Sequence, residues 1–321
     1  MTSGTESFAA ESFGADSTTD DVLDGRDLSG LQVLITGTSS GLGVETARAL
    51  AAHGAEVTGV VRDLEKARRN LDEVGATGVE LYDADLASLA SVRAFTDRYL
   101  ADGHDRIDLL IANAGIMACP QGTTDDGFEL QFGVNHLGHF VLVNRLAPLL
   151  LTGPPARVVV VSSAGHRFSD VSLDDPGFER TPYDEWVAYG RSKTANVLFA
   201  VELDRRLRDR GVRVTALHPG GILTELGRHL TEQSLGKLIE SSGAAEVEFK
   251  TVEQGAATSV WAGVVADGDA VGGRFCEDCG VAPVVDDGDV TRGVRAYALD
   301  PETAAALWTL SEQMVGETFE P

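Results

Sequence analysis

A tyrosine and a lysine four residues apart form the clearest chemical pattern in this sequence. Tyr189 and Lys193 lie in a helical stretch that begins near Glu185, so their side chains share one face of that helix. A free phenol has a pKa of about 10, and a neighbouring ammonium favours the phenolate and lowers that pKa. The pair therefore predicts a site that transfers a proton to or from a substrate oxygen.

A glycine-rich turn follows the first predicted strand and opens a helical stretch. Its sequence is Thr-Gly-Thr-Ser-Ser-Gly-Leu-Gly, from Thr36 to Gly43. Glycines let the backbone approach a pyrophosphate closely, and the following helix offers free N–H groups and the positive end of its dipole. The pattern predicts a dinucleotide site. Its predicted binding residues are Gly37, Ser39, Ser40, Gly41, Leu42 and Gly43.

The end of the second predicted strand bears on the choice of dinucleotide. Sites that prefer NAD place a carboxylate there, on the ribose 2′-hydroxyl. Here Arg62 follows Val61 directly, and a guanidinium can bind a 2′-phosphate with two hydrogen bonds. This favours NADP(H). Two alternatives stay open: Arg62 is a surface residue paired with Asp63, or a strand boundary shifted by a residue or two exchanges their roles and NAD(H) binds.

Short apolar runs alternate with helix-length stretches from Leu31 onward, which is typical of βαβ units and a parallel sheet. The predicted strands are Gln32–Thr36, Glu56–Val61, Val79–Tyr82, Ile107–Ala112, Arg157–Ser162 and Val212–Leu217, with a last short strand after Gly272. The predicted helices include Leu42–His53, Leu86–Leu100, Gly127–Leu151, Glu185–Arg210 and Pro301–Met314. We therefore predict an α/β fold over residues 29–321, a single doubly wound Rossmann domain with a mostly parallel seven-stranded sheet and helices on both faces.

Three segments interrupt this alternation. Residues 1–28 contain seven acidic residues against one arginine and no hydrophobic period, which predicts a disordered, solvated tail. Residues 164–183 and 223–249 are long for connections between regular elements and contain several turn-forming residues. We predict that both form substrate loops near the carboxyl ends of the strands.

Charge and cysteine content exclude several classes of function. The formal net charge of −24 disfavours nucleic acid and membrane surfaces as partners. No apolar run approaches the ~18 residues of a membrane helix, and the N-terminus lacks the features of a secretion signal, so we expect a cytoplasmic protein. Three cysteines make no disulfide framework. The single Cys276-x-x-Cys279 pair, with scattered His136, His139 and His166, predicts no metal site.

Five motifs, agreeing in type, order and spacing, resemble those of the short-chain dehydrogenases/reductases from about Leu31 to the final strand. They are Thr36-Gly37-x-x-x-Gly41-x-Gly43, Asp85-Leu86, Asn113-Ala114-Gly115, Tyr189-x-x-x-Lys193, and Pro219-Gly220 with Thr224 beyond. The sequences at 61–63, 135–140 and 161–166 look most like the retinol dehydrogenase and protochlorophyllide reductase branch.

The resemblance implies four catalytic residues. Tyr189 passes the proton, and Lys193 both tunes it and holds the nicotinamide ribose. Ser163 hydrogen-bonds the reacting oxygen and is preferred to Ser162 because it matches the family's strand-end serine, while Ser162 stays an alternative. Asn135 holds a water on Lys193 and extends the proton relay. An asparagine within a helical stretch is intrinsically unfavourable, which independently indicates a special role for Asn135.

The resemblance also assigns further cofactor-binding residues. Asp85 bonds the adenine ring with Leu86 packed near it, and Asn113–Gly115 borders the adenosine ribose. The segment Pro219–Thr224 places backbone and hydroxyl groups against the nicotinamide carboxamide. The residues so assigned are Asp85, Leu86, Asn113, Ala114, Gly115, Pro219, Gly220, Ile222 and Thr224.

Together these patterns predict an NADP(H)-dependent oxidoreductase that interconverts an alcohol and a carbonyl compound by hydride transfer. Apolar residues around Ile116, Met117, Phe168 and Phe178 favour a small hydrophobic substrate. Two alternatives are a carbon–carbon double-bond reductase of the same fold and a cofactor-binding regulator without turnover. The resemblance further suggests a homodimer through the long helices that contain the Asn135 and Tyr189 motifs.

Overall fold

The structure, a computed structural model, describes residues 13–229, 249–286 and 292–321. Its sheet has the order β3-β2-β1-β4-β5-β6-β7-β8, parallel from β1 to β7. The strands are β1 Gln32–Thr36, β2 Glu56–Val61, β3 Glu80–Asp83, β4 Leu109–Ala112, β5 Arg157–Val161, β6 Arg213–His218, β7 Phe275–Glu277 and β8 Gly280–Val281. The predicted α/β fold is confirmed. The two-residue β8, antiparallel to β7, is an eighth strand that the prediction lacked.

Helices cover both faces of this sheet. They are α1 Thr19–Leu23, α2 Gly41–Ala52, α3 Leu64–Glu73, α4 Leu89–Ala101, α5 Leu130–Phe132, α6 Gly138–Leu150, α7 Glu185–Leu207, α8 Val252–Val260, α9 Gly268–Val271 and α10 Pro301–Val315. Shorter 3-10 turns span Ala164–Phe168, Arg208–Arg210, Glu225–His229 and Ala296–Leu299, and π turns span Gly133–Leu137 and Trp261–Val265.

Alternate residues of the strands enter two separate cores, because successive side chains of a strand point to opposite faces. Leu34 and Val158 pack in a core with residues of α4, α6, α7 and α10. Val33 and Val159, their immediate neighbours, pack in a second core with residues of α1, α2 and α8. The sheet is therefore buried on both sides, and its substrate and cofactor sites must lie at a strand edge.

The prediction of a solvated tail is wrong for residues 13–28. They contain α1, whose first turn is closed by a capping box between Thr18 and Asp21. Val22 and Leu23 are fully buried in the core beside α2 and α8. The few apolar side chains of this segment give little hydrophobic period, and it is their burial in the tertiary structure that orders the segment. Residues 1–12 lie outside the described residues.

The two predicted substrate loops differ in what the structure describes. In residues 164–183 the 3-10 turn at Ala164–Phe168 is the only regular element, followed by irregular chain up to Asp184. Of residues 223–249, the structure describes 223–229, with a 3-10 turn at Glu225–His229, and Phe249. Residues 230–248 lie outside the described residues. Within the described ranges, no helix combines the length and apolar character needed to cross a lipid bilayer.

Candidate active site

The strand order reverses between β1 and β4, so their connections leave in opposite directions and open a crevice at the carboxyl edge. Residues predicted from separate parts of the sequence meet along this edge. Gly37 follows β1, Arg62 follows β2, Asn113 follows β4, Ser163 lies just past β5 and Pro219 follows β6.

The glycine turn packs too tightly for any larger residue at two positions. Gly37 has φ +81°, and an added Cβ would lie 2.9 Å from the Ala114 Cα. A Cβ on Gly43 would lie 2.1 Å from the Gly37 carbonyl oxygen. Ser40 precedes α2 without a side-chain hydrogen bond to the helix, which leaves the first N–H groups of α2 without a cap. This open helix N-terminus beside a close-packed turn fits a dinucleotide pyrophosphate.

Neighbouring residues hold the turn in place. The Ser39 carbonyl accepts a hydrogen bond from Asn70 Nδ2 at 2.7 Å. Thr224 packs against Gly41, since a Cβ there would lie 3.1 Å from the Thr224 methyl carbon. Thr224 comes 183 residues after Gly41 in the sequence, and the fold brings the two into contact at the glycine turn. Leu42 and Ile222 both contact Gly255 of α8.

Arg62 and Asp63 have separate roles at the end of β2. The Asp63 carboxylate accepts a hydrogen bond from the Lys66 N–H at 2.9 Å and thereby caps α3. Arg62 is exposed, and within the described ranges its guanidinium has no hydrogen bond or ion pair. The carboxylate is thus engaged in the helix cap, and the guanidinium is available to a ligand.

Thr36 joins β1 to the segment after β4. Its Oγ1 accepts hydrogen bonds from the Asn113 and Ala114 N–H groups at 2.9 and 3.0 Å and lies 2.9 Å from His139 Nε2. The Asn113 amide also donates to the Thr36 carbonyl at 2.8 Å. Thr36 was part of the sequence motif, but its role as the hub of this segment appears only in the structure.

Asp85 and Leu86, the residues predicted to border the adenine, follow β3. The Asp85 carboxylate accepts a hydrogen bond from the Ala87 N–H at 2.9 Å, and the Asp85 backbone N–H donates one to Ser91 Oγ at 3.0 Å. Leu86 is buried, and a Cβ on Gly138 would lie 2.7 Å from its carbonyl oxygen. The local turn therefore holds Asp85 through Ala87 and Ser91, while Leu86 lies against Gly138, the first residue of α6.

Tyr189 and Ser163 form the centre of the site. Both side chains lie against Gly165, whose N–H donates a hydrogen bond to Ser163 Oγ at 3.0 Å, and the Ser163 hydroxyl acts to lower the pKa of the phenol. The Tyr189 ring lies against Gly165, where a Cβ would approach it to 2.5 Å. Ser162 points elsewhere, since its Oγ donates to the Lys193 carbonyl at 2.7 Å and is buried. The structure thus places Ser163, and not Ser162, beside the phenol.

Lys193 lies under the same crevice. Its Nζ donates to the Val161 carbonyl at 3.1 Å and is 5.8 Å from the Tyr189 ring centroid. Gly115 brings a third segment to this point, because a Cβ there would lie 3.5 Å from Lys193 Nζ and 3.2 Å from Asn135 Oδ1. Four segments that are distant in sequence therefore converge around one ammonium.

Asn135 lies in the π turn between α5 and α6, a geometry that is rare and frequent at functional sites. Its Oδ1 accepts from the Ile116 N–H at 2.9 Å, and its Nδ2 donates to the Ile116 carbonyl at 3.0 Å and to Ser192 Oγ at 2.9 Å. Ser192, a residue that sequence reasoning missed, donates in turn to the Tyr189 carbonyl at 2.8 Å. The position of Ser192 between Tyr189 and Lys193 was the sequence signal that could have identified it.

The nicotinamide side of the predicted site is built on Pro219 and Gly220. Gly220 has φ +103°, and the stem of Lys250 lies over it, 2.7 Å from an added Cβ. Lys250 Nζ pairs with Asp278 at 2.6 Å, and the Lys250 N–H donates to the Gly221 carbonyl at 2.8 Å. The turn is therefore fastened to the β7–β8 hairpin.

The pKa values differ from the sequence expectation. Burial raises the pKa of Tyr189 to about 12, and the neighbouring Ser163 hydroxyl offsets only part of that rise. Burial also lowers the pKa of Lys193 to about 8. We expected Lys193 to lower the pKa of the phenol, but its Nζ bonds the Val161 carbonyl, and desolvation of the buried ring is the larger effect. At neutral pH the phenol is protonated and can donate.

A family model described as short chain dehydrogenase matches residues 32–235 of this chain. The chain belongs to the short-chain dehydrogenases/reductases. This dehydrogenase/reductase is 44% identical over 288 residues to a "Probable oxidoreductase" of Streptomyces lividans, covering 88% of this chain and 96% of that protein. It is 41% identical over 304 residues to human retinol dehydrogenase 14, covering 89% and 87%. The predicted family, its retinol dehydrogenase-like branch and the class of NAD(P)-dependent oxidoreductases are confirmed.

Solved structures agree with this assignment. An uncharacterized protein from Mycobacterium Paratuberculosis is 36% identical, with a TM-score of 0.70 over 93% of this chain and 98% of that one. A short chain dehydrogenase from Burkholderia cenocepacia, in complex with NADP, is 26% identical with a TM-score of 0.61 over 79% and 99%. A 3-ketoacyl-(acyl-carrier-protein) reductase from Brucella melitensis, complexed with NADH, is 26% identical with a TM-score of 0.58 over 74% and 93%.

The histidines and cysteines of this dehydrogenase/reductase have separate surroundings. His136 Nε2 lies 2.8 Å from Ser311 Oγ, His139 Nδ1 3.0 Å from the Asn135 carbonyl, and His166 Nδ1 2.7 Å from the Ser163 carbonyl. Within the described ranges, no three potential ligands are grouped as a metal site would require. Burial raises the pKa of Cys276 to about 12 and that of Cys279 to about 11, so neither thiol is a ready nucleophile.

Acid should destabilise this protein partly through these histidines. Burial lowers the pKa of His136 to about 3, and of His139 and His166 to about 4. Below pH 6.5 these imidazoles therefore bind protons in the unfolded chain but stay neutral in the folded one. Stability is then present above pH 6.5 and is lost as the pH falls. Each histidine contributes a slope of about 1.4 kcal/mol per pH unit.

We expect His136→Gln, which retains a donor for Ser311, to reduce the slope of unfolding free energy between pH 6 and pH 5 by about that amount. Urea unfolding at several pH values measures this slope. Equal slopes in the variant and the parent chain would contradict the buried, neutral state of His136.

Proposed function

We propose that this chain is an NADP(H)-dependent oxidoreductase that interconverts an alcohol and a carbonyl compound, with Tyr189 as the proton donor and acceptor. The observation that supports this most directly is the convergence of Tyr189, Ser163 and Lys193 at the carboxyl edge of the sheet, beside the glycine turn. A protonated phenol beside a serine hydroxyl can receive a substrate oxygen and protonate it.

The residues divide the work of the reaction between them. When bound, the nicotinamide supplies or accepts the hydride. Ser163 donates a hydrogen bond to the substrate oxygen and orients it. Tyr189 donates its phenolic proton to that oxygen as negative charge develops there, and takes the proton back in alcohol oxidation. The Lys193 ammonium stabilises the resulting phenolate, and Asn135 holds Ile116 and Ser192 in position around it.

The cofactor residues fit a dinucleotide with its pyrophosphate on the uncapped start of α2. Gly37, Gly41 and Gly43 would hold the phosphates, and Asp85 and Asn113 would border the adenosine. Arg62 supports the choice of NADP(H), because its guanidinium is exposed at the end of β2 while Asp63 is engaged as the cap of α3.

Reversing the charge at Arg62 should change the cofactor preference. We expect Arg62→Asp to lower kcat/KM for NADPH about 10²-fold and to change that for NADH little, because a carboxylate repels the 2′-phosphate and accepts a hydrogen bond from a 2′-hydroxyl. Arg68→Asp is the matched control. Asn70 faces the glycine turn, and two residues along a helix is a rotation of about 200°, so Arg68 faces away from it. If the ratio of kcat/KM for NADPH to that for NADH were unchanged in Arg62→Asp, Arg62 would not be the residue that binds the 2′-phosphate.

The residues beside Tyr189 support a hydrophobic substrate. Buried Ala118 and Trp186 pack with Tyr189, and half-buried Met117 and Phe168 lie against this cluster. The Phe168 and Trp186 rings are in an edge-to-face arrangement with centroids 5.6 Å apart. An apolar wall next to the proton donor would bind the carbon skeleton of a small ketone or aldehyde.

The test of function is a titration with NADPH and NADH followed by a panel of hydrophobic ketones, aldehydes and alcohols. We expect NADPH binding and turnover of at least one carbonyl compound. Turnover confined to substrates with an activated carbon–carbon double bond would identify a double-bond reductase. Cofactor binding without any turnover would support a regulator instead.

The C-terminal segment, residues 301–321, determines which helices are free to form a contact between subunits. α10 packs along α7, and Phe319 lies 5.5 Å, ring to ring, from Phe140 of α6. Arg145 and Arg93, from α6 and α4, pair with Glu317. Because this segment covers α6 and α7, we propose that any homodimer uses another surface than these helices, contrary to the expectation from sequence.

A further inference from the structure

The carboxylate of Asp175 is the centre of a hydrogen-bonded turn in the predicted substrate loop, residues 164–183. It accepts hydrogen bonds from the N–H groups of Glu179, Arg180 and Thr181 at 2.7, 3.1 and 3.0 Å, and from the Thr181 hydroxyl at 2.8 Å. Asp175 is buried, although its neighbour Asp174 and residues 179–182 are exposed. Four hydrogen bonds to one carboxylate hold residues 175–181 as a unit.

Arg191 attaches this unit to the catalytic helix. Its guanidinium lies over the Phe178 ring, 3.9 Å from the centroid, and its Nη1 donates to the Asp175 carbonyl at 2.8 Å. Phe178 has φ +57°, which is costly for a bulky residue and persists only where the surroundings enforce it. Such enforced strain clusters at ligand-binding segments, so the loop is not an incidental surface connection.

The same unit reaches the apolar wall of the site. The Phe178 and Tyr183 rings are 5.2 Å apart in an edge-to-face contact. The Tyr183 hydroxyl donates to the Cys119 carbonyl at 2.9 Å, next to Ala118, which packs on Tyr189. Two residues along α7 from both Tyr189 and Lys193, Arg191 lies on the opposite face of that helix. One helix thus holds the proton donor on one face and the loop on the other.

We propose that Arg191 is a positioning residue for the substrate: with Asp175 it holds residues 175–183 against α7 and thereby keeps one wall of the substrate site in place. This inference rests on the proposed function, because the wall matters only if a substrate binds beside Tyr189. The wall sets the affinity for the carbonyl compound and leaves the cofactor site, on the other side of the crevice, unaffected.

Limited trypsin digestion tests the attachment without any assay of activity. Arg180 and Thr181 are exposed, and trypsin cleaves after arginine, but the N–H groups of both residues are bound to the Asp175 carboxylate. Cleavage of the Arg180–Thr181 bond therefore reports the fraction of molecules in which the loop is open. We expect Asp175→Ala and Arg191→Met to speed this cleavage at least about 10-fold, and Arg191→Lys less, since an ammonium can also lie over the ring. Asp174→Ala, an exposed neighbour, is the matched control and should cleave at the parent rate.

Kinetics test the positioning role. For Arg191→Met we expect the KM of the best carbonyl substrate to rise about 10-fold with the KM of NADPH unchanged, a split that a general loss of structure would not produce. Cleavage no faster than in Asp174→Ala would overturn the proposal, as would faster cleavage with an unchanged substrate KM. If the parent chain binds NADPH but reduces no carbonyl compound, the proposed function fails, while the cleavage rates still support or overturn the attachment.

Discussion

Replacing Tyr189 by phenylalanine should lower kcat for carbonyl reduction by 10²-fold or more while NADPH affinity stays nearly unchanged. The substitution removes one oxygen atom, that of the phenol beside Ser163, and leaves the hydrogen bond from the Gly165 N–H to Ser163 Oγ intact. The ring itself packs on Gly165 and Trp186 and would remain in place. Steady-state kinetics and a fluorescence titration with NADPH measure the two quantities.

Tyr82→Phe is the matched control for this variant. Tyr82 is also buried, and its hydroxyl donates to Asp102 at 2.9 Å, but it lies on β3 away from the site. Its substitution removes the same atom and should leave kcat within about twofold of the parent. Retained turnover in Tyr189→Phe would exclude the phenol as the proton donor and would leave Ser163 as the nearest hydroxyl.

Replacing Lys193 by methionine should produce a loss of similar size, on the order of 10² to 10³-fold in kcat/KM. The side chain is buried. Its ammonium donates a hydrogen bond to the Val161 carbonyl and lies beside Gly115, as does Asn135 Oδ1. Methionine fills the same volume but offers neither charge nor donors. The phenolate formed during reduction would then lack a stabilising cation.

The pH profile separates this electrostatic role from packing. Because the pKa of Lys193 is lowered to about 8, the ammonium is present below that pH and lost above it. We expect kcat/KM of the parent chain to fall above about pH 8, and Lys193→Arg, whose guanidinium stays charged, to lack that decline. A decline above pH 8 that persists in Lys193→Arg would assign it to another group.

Much of the site could be read from sequence because its parts are local. The spacing of Tyr189 and Lys193 on one helix, and the glycine turn between β1 and α2, depend only on residues within one element or one connection. The predicted bounds of β1 and β2 are those of the structure, since strands buried on both faces are continuous apolar runs.

Other features depend on contacts between distant segments. The helix predicted over 127–151 is interrupted by the π turn that carries Asn135, and its amide bonds Ile116, nineteen residues away. The segment containing α1 was predicted as a solvated tail, yet Leu23 is fully buried in the core. Neither outcome has a periodic signal in the local sequence.

The sequence by itself determined the α/β order of elements and the glycine turn, and it predicted Tyr189 as the proton donor, because each is a pattern of neighbouring residues. Only the tertiary structure decided that Ser163 faces Tyr189 while Ser162 faces Lys193, and that Asp63 caps a helix while Arg62 stays accessible. It also decided the protonation of the site. A phenol and an ammonium four residues apart predict mutual attraction, but desolvation, which depends on what the rest of the chain packs around them, raises one pKa and lowers the other.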